Sequence, residues 1–569
     1  MSTIATWLQR CCVLLIVAAP TRGDARSLFV SHQGDDDQPG TIERPWKSLK
    51  ASFARLEAGD TLNLRGGGYW EDGLILKAKG TPEQPIVIRA EPGSVWIGAD
   101  GGVFIDGSDA WQTVDQDKKI YRLKKPPPSK VTRQLTGGWL WEPEVIQLLP
   151  YTNQKLFSSP NFGVGGYVGP GFIFDKGELR IRLQMPEIPA DSSATEGRSS
   201  AIESNPDLHA FFFCSNAEKP GLTIRNAAYI VLENLNLEPA GRRTVEITGD
   251  SHHVTMSGCN VLVRTLGVVA QEGTHDLAIR DCMFRMGFPP WVAWGDVKGG
   301  SRGKAFNPAE EAGWNSFAVV GVWNSSVIER STFMDCFDGI FLRSGSENVV
   351  ISDNSIIRSR DDAIDLAPDV SKIDISHNVI WRCFEGISLV GEKQGKKGVG
   401  GNGDSNGGGN GASNGASNGG SNGGGDAGDV FIHHNVIDVS ARHFAERKED
   451  AAYFKSEWSP GIAFGRHDCG RECEDARWRL YNNTIVARGK NKTVPVDMPL
   501  AILTNNLIFD PDQKPDDLDC QRMERSSFTT PDEVRELYKP KRSAPGSQNP
   551  PVGSSSWPEF DPRMSGAIP

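Results

Sequence analysis

Three short phrases carry an acidic residue at the same point: Cys336-Phe337-Asp338-Gly339-Ile340, Arg360-Asp361-Asp362-Ala363-Ile364 and Cys383-Phe384-Glu385-Gly386-Ile387. The spacing is 24 residues from Asp338 to Asp362 and 23 from Asp362 to Glu385. If one period of chain is one turn of a solenoid, these acids stack on successive rungs about 4.8 Å apart. Asp361 and Asp365 lie beside them. Stacked like charges raise the pKa of at least one partner, so a carboxylic acid and a carboxylate can coexist near neutral pH. A glycosidase uses such a pair: the acid protonates the leaving oxygen, and the carboxylate attacks or activates water. Neighbouring rungs give roughly the 5 Å carboxyl spacing of a retaining enzyme, whereas Asp338 and Glu385, two rungs apart, slightly exceed the inverting range. The expected assignment is Asp362 as nucleophile and Glu385 as general acid/base. Asp338, Asp361 or Asp365 then orient the sugar or tune the pair. Two alternatives stand beside it. The residues are solvated turn acids, or Asp338, Asp361, Asp362, Asp365 and Glu385 hold calcium, a hard cation. No other cofactor is expected.

Sugar-binding material is close in sequence. The loop between Met286 and Trp323 carries Trp291, Trp294, Trp314 and Trp323, whose rings stack on a pyranose or simply pack a long loop. Arg343, Arg358 and Arg360 meet an acidic substrate or balance the acids. His443, Tyr453, Trp458, Arg466 and His467 fall in an elaborated coil that forms a far wall.

The elements that position these residues come from a repeat. Asn348-Val349-Val350-Ile351-Ser352-Asp353-Asn354-Ser355-Ile356-Ile357 is followed by Lys372-Ile373-Asp374-Ile375-Ser376-His377-Asn378-Val379-Ile380. Further copies run through Asn435, Asn483 and Asn506, and weaker ones contain Cys259 and Cys282. Each unit is a pair of short alternating strands around a turn asparagine, which tolerates the left-handed backbone region. Leucine-rich repeats share the period but need spaced leucines and a helical half. The β-branched residues here read as an all-β parallel β-helix; its right hand follows from a resemblance to the pectate-lyase-like solenoids and from the general chirality of parallel crossovers. A helix across residues 46–56 is expected to cap its first coil.

The repeat is broken twice. It disappears over residues 111–213, where Trp139-Leu140-Trp141 and Gly169-Pro170-Gly171-Phe172-Ile173-Phe174-Asp175 suggest an inserted strand-rich domain, a β-sandwich being one form. Residues 398–428 are almost entirely Gly, Asn and Ser, which cannot bury enough surface to order themselves. The resulting organisation is a signal peptide over 1–25, a cap and first coils over 26–110, and the insert over 111–213. The main β-helix follows over 214–540, then a surface tail over 541–569.

With 569 residues, the chain is long for one core unless the core grows along an axis. Its charge of −11 and the lack of a basic block argue against nucleic acid as a partner. Arg10 followed by the apolar run 11–19 is too short for a stable membrane span and fits a signal-peptide core. The expected location is therefore secreted or periplasmic. Cys469 and Cys473 are close enough to close a small loop in an oxidising compartment. Cys259, Cys282, Cys336 and Cys383 read as buried small hydrophobes.

The whole pattern resembles the carbohydrate-active β-helix enzymes. Its architecture is most similar to the β-xylosidases of glycoside hydrolase family 120, whose helix is also interrupted by a strand-rich domain. That resemblance, over residues 28–540, implies a catalytic aspartate and glutamate on successive coils, here Asp362 and Glu385. The expected function is cleavage of an oligo- or polysaccharide by a retaining, exo-acting hydrolase, the insert covering one end of the groove. The main rival is a calcium-dependent polysaccharide lyase or the related C5 epimerase. A lyase needs a base such as lysine; none is in the ladder itself, and Lys372 and Lys393 are merely nearby. A non-catalytic carbohydrate-binding surface protein is the third alternative. Nothing in the sequence fixes an oligomeric state.

Overall fold

The computed structural model describes residues 25–98, 102–125, 135–141, 145–161, 166–185, 202–215, 220–239, 241–289, 291–292, 297, 315–367, 370–389, 430–439, 462–464, 478–486, 501–504 and 506–509. The expected leader, the Gly/Asn/Ser-rich segment, Cys469, Cys473 and the tail lie outside them.

Three long parallel sheets make up the body, with 12, 11 and 9 strands. The chain visits them in rotation. One coil runs Glu347–Ser352 in the first sheet, Ser355–Ile357 in the second and Asp362–Leu366 in the third. Each strand pairs in register with its equivalent one coil on, as Ile351 does with Ile375 and Ile364 with Ile387. This is the parallel β-helix expected from the repeat.

Alternation explains the interior. Ile328, Ile351, Ile375 and Ile432 point inward from the first sheet, Phe333, Ile356, Ile380 and Ile437 from the second, and Ile340, Ile364 and Ile387 from the third, all fully buried. Like residues stack on like, so the Phe284 and Phe333 rings lie 4.8 Å apart and nearly parallel. The turn asparagines form a buried ladder. Asn354 Nδ2 donates to Asn378 Oδ1, Asn378 to Asn435 and Asn435 to Asn483, each at 3.0 Å. Towards the N-terminus the same corner is occupied by Ser331, whose amide donates to Asn354 Oδ1, and by Cys282, whose amide donates to Ser331 Oγ. Cys336 and Cys383 belong to the next corner, before the third sheet. With Cys214, Cys259 and Cys282 they are buried free thiols.

At the N-terminal end a helix spans Leu49–Phe53, shorter than expected, with Ser48 as its cap. Leu49 and Phe53 join Trp46 in the core of the first coil. No helix among the described residues is long and apolar enough to cross a membrane.

The insert starts earlier than the repeat suggests. Val103–Ile105 looks like another coil strand but pairs antiparallel with Phe211–Phe213. It belongs to a four-stranded sheet that faces a second sheet of five strands. The boundary therefore moves to Val103 and Ser215, because strand pairing, invisible to local pattern, decides membership. The helix resumes in register across the gap, Ile88 lying beside Leu232.

Candidate functional site

Each strand of the third sheet begins where the chain turns out of the second. Asp338, Asp362 and Glu385 are the first residues of Asp338–Leu342, Asp362–Leu366 and Glu385–Leu389. Asp362 and Glu385 are register partners, and the Asp362 amide donates to Asp338 Oδ1 at 3.0 Å. The Glu385 amide donates to the Asp361 carbonyl at 3.1 Å. Residues 23 and 24 positions apart in sequence thus become neighbours one rung, about 4.8 Å, apart. The following residues turn inward. Ala363 lies in the core, and a Cβ on Gly339 would sit 3.3 Å from Ile356 Cγ2. Asp338 and Asp362 therefore stand on the outer side of the corner, and small residues behind them let the backbone bend.

All five acids are buried, from 1% exposed at Asp338 to 9% at Asp365 and Glu385. Asp338, Asp361 and Asp362 each bring an oxygen to within 4.8 Å of the others. Asp362 Oδ1 is buried with no hydrogen-bond partner. Loss of water, then the charges of Asp361, Glu385, Asp365 and Asp338, push the Asp362 carboxyl well above the usual range. Such a cluster has two chemical outlets. It keeps a proton, shared between coupled carboxyls rather than owned by one, or it takes a cation whose charge offsets theirs. The solvated-turn expectation does not fit, since these acids are withdrawn from solvent.

The wall beside the cluster joins helix and insert. Arg360 is 3% exposed, donates from Nη2 to the Pro289 carbonyl at 2.7 Å and lies 4.8 Å over the Phe288 ring. These contacts hold Phe288 and Pro289 against the corner that carries the acids. The same segment receives the insert: Trp139 Nε1 donates to the Met286 carbonyl at 2.9 Å and the Gln147 amide to Gly287 at 2.7 Å.

Two tryptophans expected to stack on sugar are packed away. Trp323 is fully buried in the helix core, and Trp291 is 7% exposed. A Cβ on Gly169 of the insert would stand 2.4 Å from Trp291 Nε1. Both rings seal the interior, which overturns their sugar-stacking role. Arg343 is half-buried just beyond the strand Asp338–Leu342, at the opposite end from Asp338. Lys372 lies in the strand Ser371–Ser376 of the first sheet, where it pairs with Glu347, so it is not on the sheet that carries the acids. Trp294, Trp314, Tyr453, Trp458, Arg466, His443, His467 and Lys393 lie outside the described residues.

Sequence reasoning passed over Phe317 and Phe341. Phe317 is the register partner of Asp338, and Phe341 that of Asp365. Phase could have found them, because Phe317 opens its strand as the acids open theirs.

Fold and site together define a parallel β-helix with a buried acid cluster on the outer side of one sheet. No family model matches the chain. A pectate lyase from Emericella nidulans is 37% identical over 86 residues, 15% of this chain and 19% of that protein. The uncharacterised protein YwoF of Bacillus subtilis is 37% identical over 71 residues, 12% of this chain and 15% of its own length. The chain thus matches less than a fifth of these curated relatives. Among solved structures, the complex of XylC with xylose covers 86% of this chain and 87% of its own at a TM-score of 0.43 and 11% identity. Pectate lyase Pel9A covers 85% and 80% at 0.39 and 9%. The fold assignment rests on the three sheets themselves.

Proposed function

We propose that the chain is a carbohydrate-active enzyme, a glycoside hydrolase that retains configuration through Asp362 and Glu385. The observation that carries this reading is the register pairing of these two buried carboxyls on adjacent rungs. A separation near one rung suits a covalent glycosyl intermediate and leaves no room for the interposed water of an inverting enzyme. Asp362 attacks the anomeric carbon while Glu385 protonates the leaving oxygen, then deprotonates the incoming water. Because burial and the neighbouring acids hold the Asp362 carboxyl up, this requires the shared proton to sit on Glu385 when substrate is bound. The β-xylosidase class resembled in sequence is the finer form of the proposal. The contacts of the insert with Met286, Gly287 and Trp291, next to the Phe288 and Pro289 that Arg360 touches, support exo action. Secretion to the periplasm or beyond suits a glycan substrate.

Aryl glycosides with graded leaving groups test the roles. D362N releases no aglycone from any of them, whereas E385Q keeps the first, bond-breaking step where the leaving group needs no proton, seen as a burst of released phenol before slow hydrolysis of the intermediate. The reverse pattern exchanges the roles, and full activity in both variants removes the site.

A second reading rests on the three oxygens of Asp338, Asp361 and Asp362. Buried carboxylates converging within 4.8 Å suit calcium, and a bound cation would serve a polysaccharide lyase or C5 epimerase acting on a uronate. The local likeness to a pectate lyase fits this reading as well. Its weakness is the base, since Lys372 lies on another sheet. Activity that survives chelation, with new reducing ends and no ultraviolet-absorbing unsaturated product, decides for hydrolysis. A non-catalytic sugar-binding surface gives no turnover by either route.

A further inference from the structure

The outer face of the third sheet continues beyond the acids. One line of register partners runs Arg243, Leu266, Phe317, Asp338 and, through the Asp362 amide, on to Asp362 and Glu385. A second runs Glu246, Val269, Val320, Phe341, Asp365 and Ser388. Phe341 lies between inward-facing Ile340 and Leu342, both fully buried, so alternation turns its ring outward. The Phe317 and Phe341 rings are 5.3 Å apart at 31°, half-buried, on top of Leu266, Val269 and Val320. Leu266, Val269 and Val320 form an apolar cluster of their own on which both rings pack, Phe341 also touching the edge of the interior core.

We infer that Phe317 and Phe341 form a sugar-binding platform adjoining the acid cluster, and that its occupant is a neutral glycan. The inference rests on the carbohydrate-active reading of Asp362 and Glu385, and names the class of substrate for that same site. Continuity carries the first half. Each phenylalanine is one rung from an acid of the cluster, about 4.8 Å, so a ring held over the platform places its glycosidic bond at the carboxyls. The C–H face of a pyranose matches an aromatic surface, while its hydroxyls reach the acids on one side.

Charge carries the second half. Along these two lines the ionic side chains are Asp338, Asp362, Asp365, Glu385, Glu246 and a single cation, Arg243. Arg243 is bound to Glu246 at 2.9 Å, and Gln271 donates to the same carboxylate at 2.9 Å. A polyuronate laid along this face would meet acids at one end and apolar rings in the middle. A neutral chain meets no such repulsion. From Asp365 to Glu246 is four rungs, about 19 Å, room for more than one sugar unit beyond the scissile bond.

Calorimetric titration of the full-length chain, in the D362N background and with chelator present, tests both halves. The probes are neutral xylo-, gluco- and manno-oligosaccharides against oligogalacturonates. At least one neutral series binds and the galacturonates do not. F317A and F341A each weaken that binding about tenfold, the loss expected for uncovering one face of a ring. F341L loses part of it, and thermal unfolding of all three stays within a few degrees of the parent. In otherwise wild-type protein the same substitutions raise KM more than they lower kcat. Unchanged affinity in F317A and F341A overturns the platform, as does binding of no neutral series. Preference for galacturonates overturns the neutral class. These results differ from failure of the parent reading, which is full turnover by D362N and E385Q.

Discussion

Replacing Asp362 by asparagine should stabilise the protein at neutral pH while removing its activity. Asp362 is 7% exposed, one of its oxygens has no partner, and Asp361, Glu385, Asp365 and Asp338 surround it. Two full charges one rung apart interact by about 3 kcal/mol at an effective dielectric near 20. The folded protein escapes part of that by holding a proton the unfolded chain would release. The sign follows from linkage. The Asp362 carboxyl titrates higher in the folded state, so folding is favoured below the unfolded value near 3.9 and loses stability as pH rises through the folded value. Asparagine does not titrate, and the backbone bond from residue 362 to Asp338 Oδ1 survives the change. Urea denaturation in the presence of chelator, from pH 4 to 8, should give curves that nearly coincide at the acid end. At pH 8 D362N should be more stable by about 1–2 kcal/mol. A variant as stable as wild type or less so across the range would refute the electrostatic picture of the cluster.

Other outcomes follow from the same structure. E385Q should lower turnover on substrates with poor leaving groups by about 10²–10⁴, read from steady-state kinetics. N378A should cost about 1–3 kcal/mol in denaturant unfolding. It removes the partner of Asn354 and the bonds to Asn435 and Ile351, all of them buried. Trp323 is fully buried and its Nε1 has no partner. W323A should therefore destabilise by about 3–5 kcal/mol, and W323F by distinctly less, since phenylalanine buries no orphaned donor.

Much of the scaffold was legible because a β-helix writes its geometry into a one-dimensional period. The asparagine at the turn, the paired β-branched runs and the spacing from Asp338 to Asp362 to Glu385 fix which residues share a corner. One coil of chain is one rung, so register needs no knowledge of distant contacts. The acid cluster was therefore readable before any coordinate. The insert was not read as well: Val103–Ile105 has the pattern of a coil strand, and only its antiparallel pairing with Phe211–Phe213 assigns it elsewhere.

Burial separates what composition cannot. Trp291 and Trp323 have the residue type that binds sugars, yet one is wedged against Gly169 and the other lies inside the coil. Phe317 and Phe341 look like core residues and face outward beside the acids. Arg360 reads as a substrate cation, and only the fold shows its guanidinium reaching the Pro289 carbonyl and the Phe288 ring. The sequence by itself determined the repeat and the vertical neighbours within it, because those depend on phase along the chain. Which side chains reach solvent, and how the insert closes on the helix, was decided only in three dimensions, where segments without periodic relation meet.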